Sequence, residues 1–400
     1  MIYSIFPTKD TTIFENSSSI NTGIDEILEV SKLISHSSEP YKNKVYNSRV
    51  LMQFDISTLS QSIVDGTIGT SGLKCYLNMY ISEASDVAYT YGLEARPVSQ
   101  SWEMGIGRLN HYPSTTEGAS WEYRNGAMTA ITWATSSWAK TSSGSWTTSS
   151  YSQTLGNNSG PGKSGESVTV GGGATWYATG SNDYYASQTF TNESADVRMD
   201  VTNIVKKWIS GSSFSGSITN HGFILKRSGS EERDSTNRGS LKFFSRDTHT
   251  IYPPRLEICW NDASGSFKPG SLEPLDILNK DTMVYMNQNS GKYKENTRTR
   301  FKVRGREKYP TKTYATKSSD LVIKYLPSSS YYSIKDAHTN ETVVPFQIPY
   351  TTLSCDSNGN YFDFYMDGLQ PERYYRFVFK IHSGSRVEYY DDDYLFKVVR

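Results

Sequence analysis

Alternation of apolar and polar residues is the strongest constraint that this sequence places on its fold. The clearest run has apolar residues at every second position, Leu73, Cys75, Leu77, Met79 and Ile81. Because successive side chains of a strand point to opposite faces, this spacing predicts a β-strand with one buried face. Further strand candidates, separated by clusters of Gly, Asn, Asp and Pro, are Glu26–Ser31, Arg49–Ile56, Val87–Val98, His221–Lys226, Leu241–Ser245 and Arg255–Trp260.

The composition also favours thin sheets over long helices. Hydrophobic residues make up only 36% of the 400 residues, whereas aromatic residues reach 13%, with 29 Tyr and 8 Trp. A sheet with one solvent-facing side needs few aliphatic residues, and aromatic residues suit strands. We therefore predict an all-β protein.

One short segment has helical rather than strand periodicity. Its apolar positions follow the spacing i, i+3, i+4 and i+7, as Val201, Ile204, Val205 and Trp208. Asp200 is suited to cap the first turn, and Gly211 is suited to end the helix. The sequence thus predicts one short helix lying against a sheet.

The chain is expected to divide into two domains. Residues 127–195 are rich in Ser, Thr, Gly and Trp with weak periodicity, which predicts a long insertion ordered in part by its tryptophans. All eight tryptophans lie between Trp102 and Trp260, and a polar stretch follows. We expect a first domain at 1–262, a linker at 263–272 and a second domain at 273–400.

Net charge, hydropathy and cysteine spacing argue against several classes of protein. The 41 basic and 41 acidic residues give zero net charge, so neither nucleic acid nor an anionic membrane is the expected partner. No secretory signal or bilayer-spanning apolar run is recognisable. The separated Cys75, Cys259 and Cys355 form no disulfide framework or metal motif. We expect assembly in a reducing cytoplasm.

The first two thirds of the chain resembles the DNRLRE-type β-sandwich family in the order and spacing of its motifs. The matching segments are Asp10–Ile13, the Gly23 turn, Ile27–Val30, Arg49–Ile56, Leu77–Tyr80, Ser101–Glu103, Gly118–Trp121, Asp200–Thr202, Trp208 and Asn220–Leu225. The resemblance implies a non-catalytic jelly-roll-like sandwich of the kind found in microbial surface proteins and phage virions. Since no signal is recognisable, we expect a virion protein of a tailed phage, in the tail, neck or baseplate.

The second domain is similar to fibronectin III and other immunoglobulin-like modules in one segment. Residues Gly368 to Phe377 match that fold's turn and strand, "GLxPxxxYxF". The resemblance implies a smaller β-sandwich in which Leu369 and Tyr375 help to close one corner.

A stripe of six cations is the most informative charge pattern. They occupy successive even positions, Arg298, Arg300, Lys302, Arg304, Arg306 and Lys308. In a strand all six would line one side. One interpretation is an edge strand protected from unwanted pairing. The other is an electrostatic contact with an acidic neighbour, another subunit or nucleic acid, for which Asp391, Asp392 and Asp393 are candidate counterparts within the chain or in a second copy.

Four tryptophans of the insertion are candidate contacts for a glycan or a partner. They are Trp133, Trp138, Trp146 and Trp176. An exposed indole face suits stacking against a sugar ring, whereas a packed one anchors its loop. A carbohydrate-binding adhesin that recognises host surface glycan is therefore the alternative to a purely structural role.

Motifs of catalysis and cofactor binding are not recognisable. The sequence contains no G-x-S-x-G or H-E-x-x-H motif, and its six histidines show no paired-ligand spacing. The Glu231-Glu232 pair beside Arg233 is typical of a solvated, salt-bridged turn. A calcium ion held by Asp10 or by loop carboxylates is the alternative for a metal, although the ligand spacing of a calcium site is not recognisable. We expect a non-enzymatic protein without a cofactor, acting through contacts with other virion proteins in multiple symmetric copies.

Overall fold

The computed structural model is built mainly from antiparallel β-sheets, as predicted for an all-β protein. It describes residues 1–35, 44–66, 68–70, 72–126, 128, 131–133, 173–177, 184–191, 196–209, 218–233, 236–261, 267–310, 314 and 322–400. These residues divide into two compact units. The N-terminal unit comprises Ile5–Asp65 and Lys74–Glu257, and the C-terminal unit comprises Met1–Ser4, Gly66–Leu73 and Ile258–Arg400. The predicted boundaries at 262 and 273 stay a prediction.

The N-terminal unit contains twelve complete strands among the described residues. They are β2 (Pro7–Phe14), β3 (Ile27–Ser35), β4 (Lys44–Phe54), β5 (Lys74–Met79), β6 (Ile81–Ser85), β7 (Tyr91–Pro97), β8 (Tyr123–Asn125), β9 (Ile131–Thr132), β10 (Ala186–Phe190), β11 (Val197–Asp200), β12 (Phe223–Arg227) and β13 (Gly239–Phe244). Strands β1 (Ile2–Ile5) and β14 (Arg255–Cys259) each have residues in both units, because the unit boundaries fall after Ser4 and after Glu257.

An eight-stranded sheet dominates this unit. Its order is β10-β7-β12-β4-β3-β13-β6, and β2 pairs with β4. All five residues of the central strand β12 are buried. In the register, Leu225 lies opposite both Val50 and Ala95. Strand β5 pairs with β11, so the alternation around Leu77 does mark a strand.

Three α-helices lie in the described part of the chain, not the single helix that was predicted. They are α1 (Ser57–Val64), α2 (Thr202–Trp208) and α3 (Gly229–Arg233). Helix α2 is the predicted one, with Ile204, Val205 and Trp208 buried. The N-cap residue is Val201 and no side chain caps the helix, so the prediction that Asp200 is the cap is wrong. The Asp200 carboxylate accepts a hydrogen bond from the backbone N–H of the first helical residue, Thr202, at 3.0 Å.

The C-terminal unit is a sandwich of two sheets. Its complete strands are β15 (Glu273–Pro274), β16 (Thr282–Asn287), β17 (Lys292–Lys294), β18 (Arg298–Glu307), β19 (Lys324–Tyr325), β20 (Ser330–Asp336), β21 (Thr342–Val344), β22 (Ser354–Asp356), β23 (Gly359–Tyr365), β24 (Tyr374–Ser383) and β25 (Arg386–Val399). One sheet has the order β15-β19-β18-β23-β22, with β16 paired to β18. The other has the order β17-β25-β24-β20-β21.

Aromatic side chains fill the space between these two sheets. Phe301 of β18 lies 4.7 Å from Phe377 of β24, measured between ring centroids. Phe362 of β23 stacks on Tyr332 of β20 at 4.1 Å. Buried aromatic rings contribute large apolar areas, and here they pack together with buried aliphatic residues such as Val303, Leu326 and Ile334.

The corner suggested by the fibronectin-like segment has a defined geometry. Leu369 and Tyr375 are both buried. The Tyr375 hydroxyl donates a hydrogen bond to the Gln370 carbonyl at 2.9 Å. This contact fixes the turn before β24 against the strand itself. Membership of the fibronectin III class stays a prediction.

Candidate functional site

The cationic stripe lies along β18 and points away from the sandwich core. Phe301, Val303 and Gly305 are buried, whereas the arginines and the lysine between them are half-buried or exposed. Period-two alternation therefore divides the strand into a core face and a cationic face. Lys308 lies beyond the end of the strand and is exposed.

The edge-strand interpretation of the stripe is wrong. Residues 302–307 of β18 pair with β16, and residues 298–303 pair with β23. The strand thus lies inside its sheet, where backbone pairing is already satisfied by neighbours. Its cations cannot serve mainly to block an open edge.

Asp363 is the acidic partner of the stripe within the chain. Arg300 binds its carboxylate through Nε at 2.8 Å and through an Nη nitrogen at 2.9 Å, and Arg298 contacts it at 2.8 Å. Burial alone would raise the pKa of Asp363, but the two guanidiniums hold that pKa below its usual range. The hydrogen bond to Asp363 in turn raises the pKa of Arg300.

The acidic run at 391–393 has a different partner. It lies on β25, in the other sheet, where Arg376 contacts Asp391 and Asp393 at 3.3 Å each. The prediction that this run balances the stripe within one chain is wrong, because the two patterns lie on different sheets. A contact with the stripe of a second copy stays a prediction.

Tyrosines of the neighbouring strands flank the cations. Arg300 lies over the ring of Tyr361 at 4.1 Å, and Arg298 lies over that of Tyr365 at 5.3 Å. Tyr285 of β16 is opposite Arg304 in the register. We call this surface the cation–tyrosine face; its residues are Tyr285, Arg298, Arg300, Lys302, Arg304, Arg306, Tyr361, Asp363 and Tyr365.

Charge on the cation–tyrosine face is only partly compensated. Of its five cations, Arg298 and Arg300 share the carboxylate of Asp363. Among the described residues, no carboxylate lies within 4.0 Å of Lys302 or Arg304. The uncompensated half of the face is therefore suited to bind carboxylate or other anionic groups.

Two of the four candidate tryptophans are part of the core of the N-terminal unit. Trp133 is 0% exposed and Trp176 is 3% exposed. They pack in one cluster with Ile13, Leu51 and Trp102. The prediction of a glycan contact is wrong for both, because neither ring has a face open to a ligand. Trp138 and Trp146 lie outside the described residues.

Sequence reasoning missed a buried ionic cluster beside these tryptophans. Arg49 Nε contacts Glu232 Oε1 at 2.7 Å, and Lys226 Nζ contacts Glu232 Oε2 at 2.8 Å. Lys226 also pairs with Glu94, and the Arg49 guanidinium lies over Trp121 at 4.7 Å. Burial would raise the pKa of Glu232, but the two cations lower it. Glu232 is thus an interior ion-pair partner, not part of the solvated turn that was predicted.

No match was found in comparisons with protein-family models, with curated proteins and with solved structures. The resemblance to the DNRLRE family therefore stays a prediction. Within the described ranges, no three His, Cys, Asp or Glu residues converge as a metal site. Nor does any described helix have the length and apolar character needed to cross a membrane.

Proposed function

We propose that this chain is a non-enzymatic structural protein of a tailed-phage virion, in the tail, neck or baseplate. The family resemblance of the first two thirds supports the virion assignment, and the all-β architecture agrees with it. The cation–tyrosine face supports a role in holding a neighbouring subunit. The observation that carries this role is the pair of cations, Lys302 and Arg304, without an acidic partner among the described residues.

The chemistry of the face specifies the kind of neighbour that it binds. Arginine and tyrosine are frequent centres of binding energy at protein interfaces, because each combines apolar area with hydrogen-bond donors. A neighbour that places Asp or Glu against Lys302 and Arg304 supplies the missing counter-charge. The electrostatic match gives specificity and a fast association rate.

Repetition in a symmetric particle strengthens such contacts. A surface ion pair contributes only about 0–1 kcal/mol by itself. When many copies are held in one assembly, each further contact forms at high effective concentration. A rigid sandwich that presents a fixed face is suited to this role.

Charge reversal on the face tests the proposal. The double variant Lys302→Glu/Arg304→Glu is expected to incorporate into gradient-purified particles at least about tenfold less than the unsubstituted chain, since one misplaced like charge costs 1.4 kcal/mol or more. The measurement is the ratio of this chain to a major capsid protein, obtained by quantitative mass spectrometry. Far-UV circular dichroism checks that the variant is folded.

Lys292→Glu is the matched control. Lys292 is exposed on β17, in the other sheet of the same unit. Lys292→Glu changes the charge of its position by the same amount as each of the two substitutions on the face. Incorporation of this control variant into particles is expected to be unchanged. Normal incorporation of the double variant would contradict the role of the face. Absence of the unsubstituted chain from particles would contradict the virion assignment.

A further inference from the structure

The N-terminal unit, which does not contain the cation–tyrosine face, has a pocket of its own. Its volume is about 590 Å³, within the range typical of small-molecule sites. Strands β3 and β4 form its floor through Glu29, Leu33 and Tyr46. The end of β2 adds Phe14, and the loop that follows adds Asn16.

The loop that contributes Leu109 and Asn110 to the lining is held by a buried asparagine, Asn21. The loop that carries Leu109 and Asn110 to the pocket passes through Gly107, whose N–H donates to Asn21 Oδ1 at 2.8 Å. The Asn21 Nδ2 donates to the carbonyl oxygens of Met104 and Ala119 at 2.7 and 2.8 Å. The pocket is thereby largely preformed, which lowers the entropic cost of binding.

The lining combines apolar surface with amides and hydroxyls. Phe14, Leu33 and Tyr46 supply apolar and aromatic area. Asn16 and Asn110 each offer both donors and acceptors of hydrogen bonds. Glu29 is the one charged residue among the described residues of the lining. Lys242 lies opposite Glu29 in the register of β3 and β13, and its ammonium group binds Glu83 at 2.8 Å. An anionic ligand would therefore meet the Glu29 carboxylate, while the cation opposite it already has an acidic partner in Glu83.

One amide of the lining is buried rather than open to the pocket. Asn47 lines the pocket and is 3% exposed. Its Nδ2 donates to Glu15 Oε2 at 3.0 Å, whereas its Oδ1 has no partner in the described part of the chain. The Glu15 Oε1 is likewise without a partner. Both oxygens are inaccessible to solvent, so the ligand contacts are assigned to the other residues of the lining.

We propose that this pocket binds a neutral saccharide of one or two hexose rings. The C–H faces of a pyranose ring pack on Tyr46 and Leu33. Its hydroxyls exchange hydrogen bonds with Asn16, Asn110 and Glu29. This inference does not depend on the virion assignment, and it assigns sugar recognition to a site other than the tryptophans of the insertion.

Calorimetric titration of the full chain tests the proposal. The probes are glucose, galactose, mannose, N-acetylglucosamine, maltose and cellobiose, with glucuronic acid as the charged comparison. We expect at least one neutral sugar to bind with a dissociation constant on the order of 1 mM or tighter. Tyr46→Ala and Asn16→Ala are each expected to weaken that binding roughly tenfold.

Tyr89→Ala is the matched control, because Tyr89 is 72% exposed and is not among the residues lining the pocket. It is expected to bind as the unsubstituted chain does. Because Asn16 is exposed, Asn16→Ala is expected to fold. It therefore tests the pocket even if Tyr46→Ala does not fold. Binding of no neutral sugar, binding of glucuronic acid alone, or equal affinity in Asn16→Ala would each overturn the proposal.

Discussion

Asp10 is a carboxylate held in the interior of the N-terminal unit. It is 1% exposed, and its Oδ2 accepts a hydrogen bond from the Arg246 backbone N–H at 2.7 Å. Its Oδ1 has no partner among the described residues. Burial raises the pKa of Asp10 to about 7, and the nearby Asp247 adds to this, while the contacts with Arg246 oppose it.

The raised pKa makes stability depend on pH in a defined direction. Because the folded-state pKa of Asp10 lies above its unfolded value, the folded state binds more protons between pH 4 and 7. The free energy of unfolding is therefore highest below pH 4, as far as Asp10 is concerned. It falls as pH rises from 4 to about 7, and Asp10 causes no further change above pH 7. The shift corresponds to at most about 4 kcal/mol.

Asp10→Asn is expected to remove this pH dependence. The amide keeps an acceptor for the Arg246 N–H but carries no charge to bury. The variant should be more stable than the unsubstituted chain at pH 8, with the difference shrinking towards pH 5. Urea unfolding at both pH values measures it. The exposed Asp65→Asn is the control, and an identical pH profile for Asp10→Asn would contradict the account.

At the scale of the element, strand β18 shows which features the sequence predicts and which it does not. Alternation between Phe301 and its cationic neighbours predicts the two faces, because a strand has a period of two. The neighbours of the strand do not follow from the same pattern. Asp363, which neutralises Arg300, lies 63 residues away in sequence. Pairing over such distances depends on the whole sheet. Local periodicity therefore predicted the cationic face of β18, but neither the position of the strand inside its sheet nor the acidic partner of the face.

The tryptophans of the insertion illustrate the same limit. The sequence indicates that Trp133 and Trp176 order their segment, and both do pack in the core. An indole that stacks on a ligand and an indole that packs in a core look alike in sequence. The buried partners of Glu232 were missed for a related reason, since Arg49 is distant in sequence and joins it only after folding.

The ion pairs of Arg298 and Arg300 with Asp363, which join β18 to β23, contribute measurably to the free energy of unfolding. Asp363→Asn leaves Arg298 and Arg300 side by side without their shared anion. We expect the free energy of unfolding to fall by about 1 kcal/mol at low salt. The loss should shrink at 1 M salt, because screening weakens the repulsion between the guanidiniums.

Chemical denaturation at two ionic strengths measures this effect. Asp392→Asn is the control, since Asp392 is an exposed acid on β25 with no ion pair to a described residue. A loss of stability for Asp363→Asn that does not depend on salt would show that packing, rather than charge, explains the contact.

At the scale of the whole molecule, the two units present different chemistry. The C-terminal unit has an aromatic core and an exposed face of cations and tyrosines. The N-terminal unit has a large sheet, a buried ionic cluster and a polar pocket. An all-β fold followed from periodicity and composition alone. The proposed role instead combines a family resemblance with the charge of one face.

The most direct measurement is a cryo-electron microscopy map of the intact particle at a resolution that shows side chains. The account predicts that this chain occupies repeated positions in the tail, neck or baseplate. It also predicts Asp or Glu of a neighbouring subunit within about 4 Å of Lys302 and Arg304. A map in which the chain is present and its cation–tyrosine face is open to solvent would contradict the account.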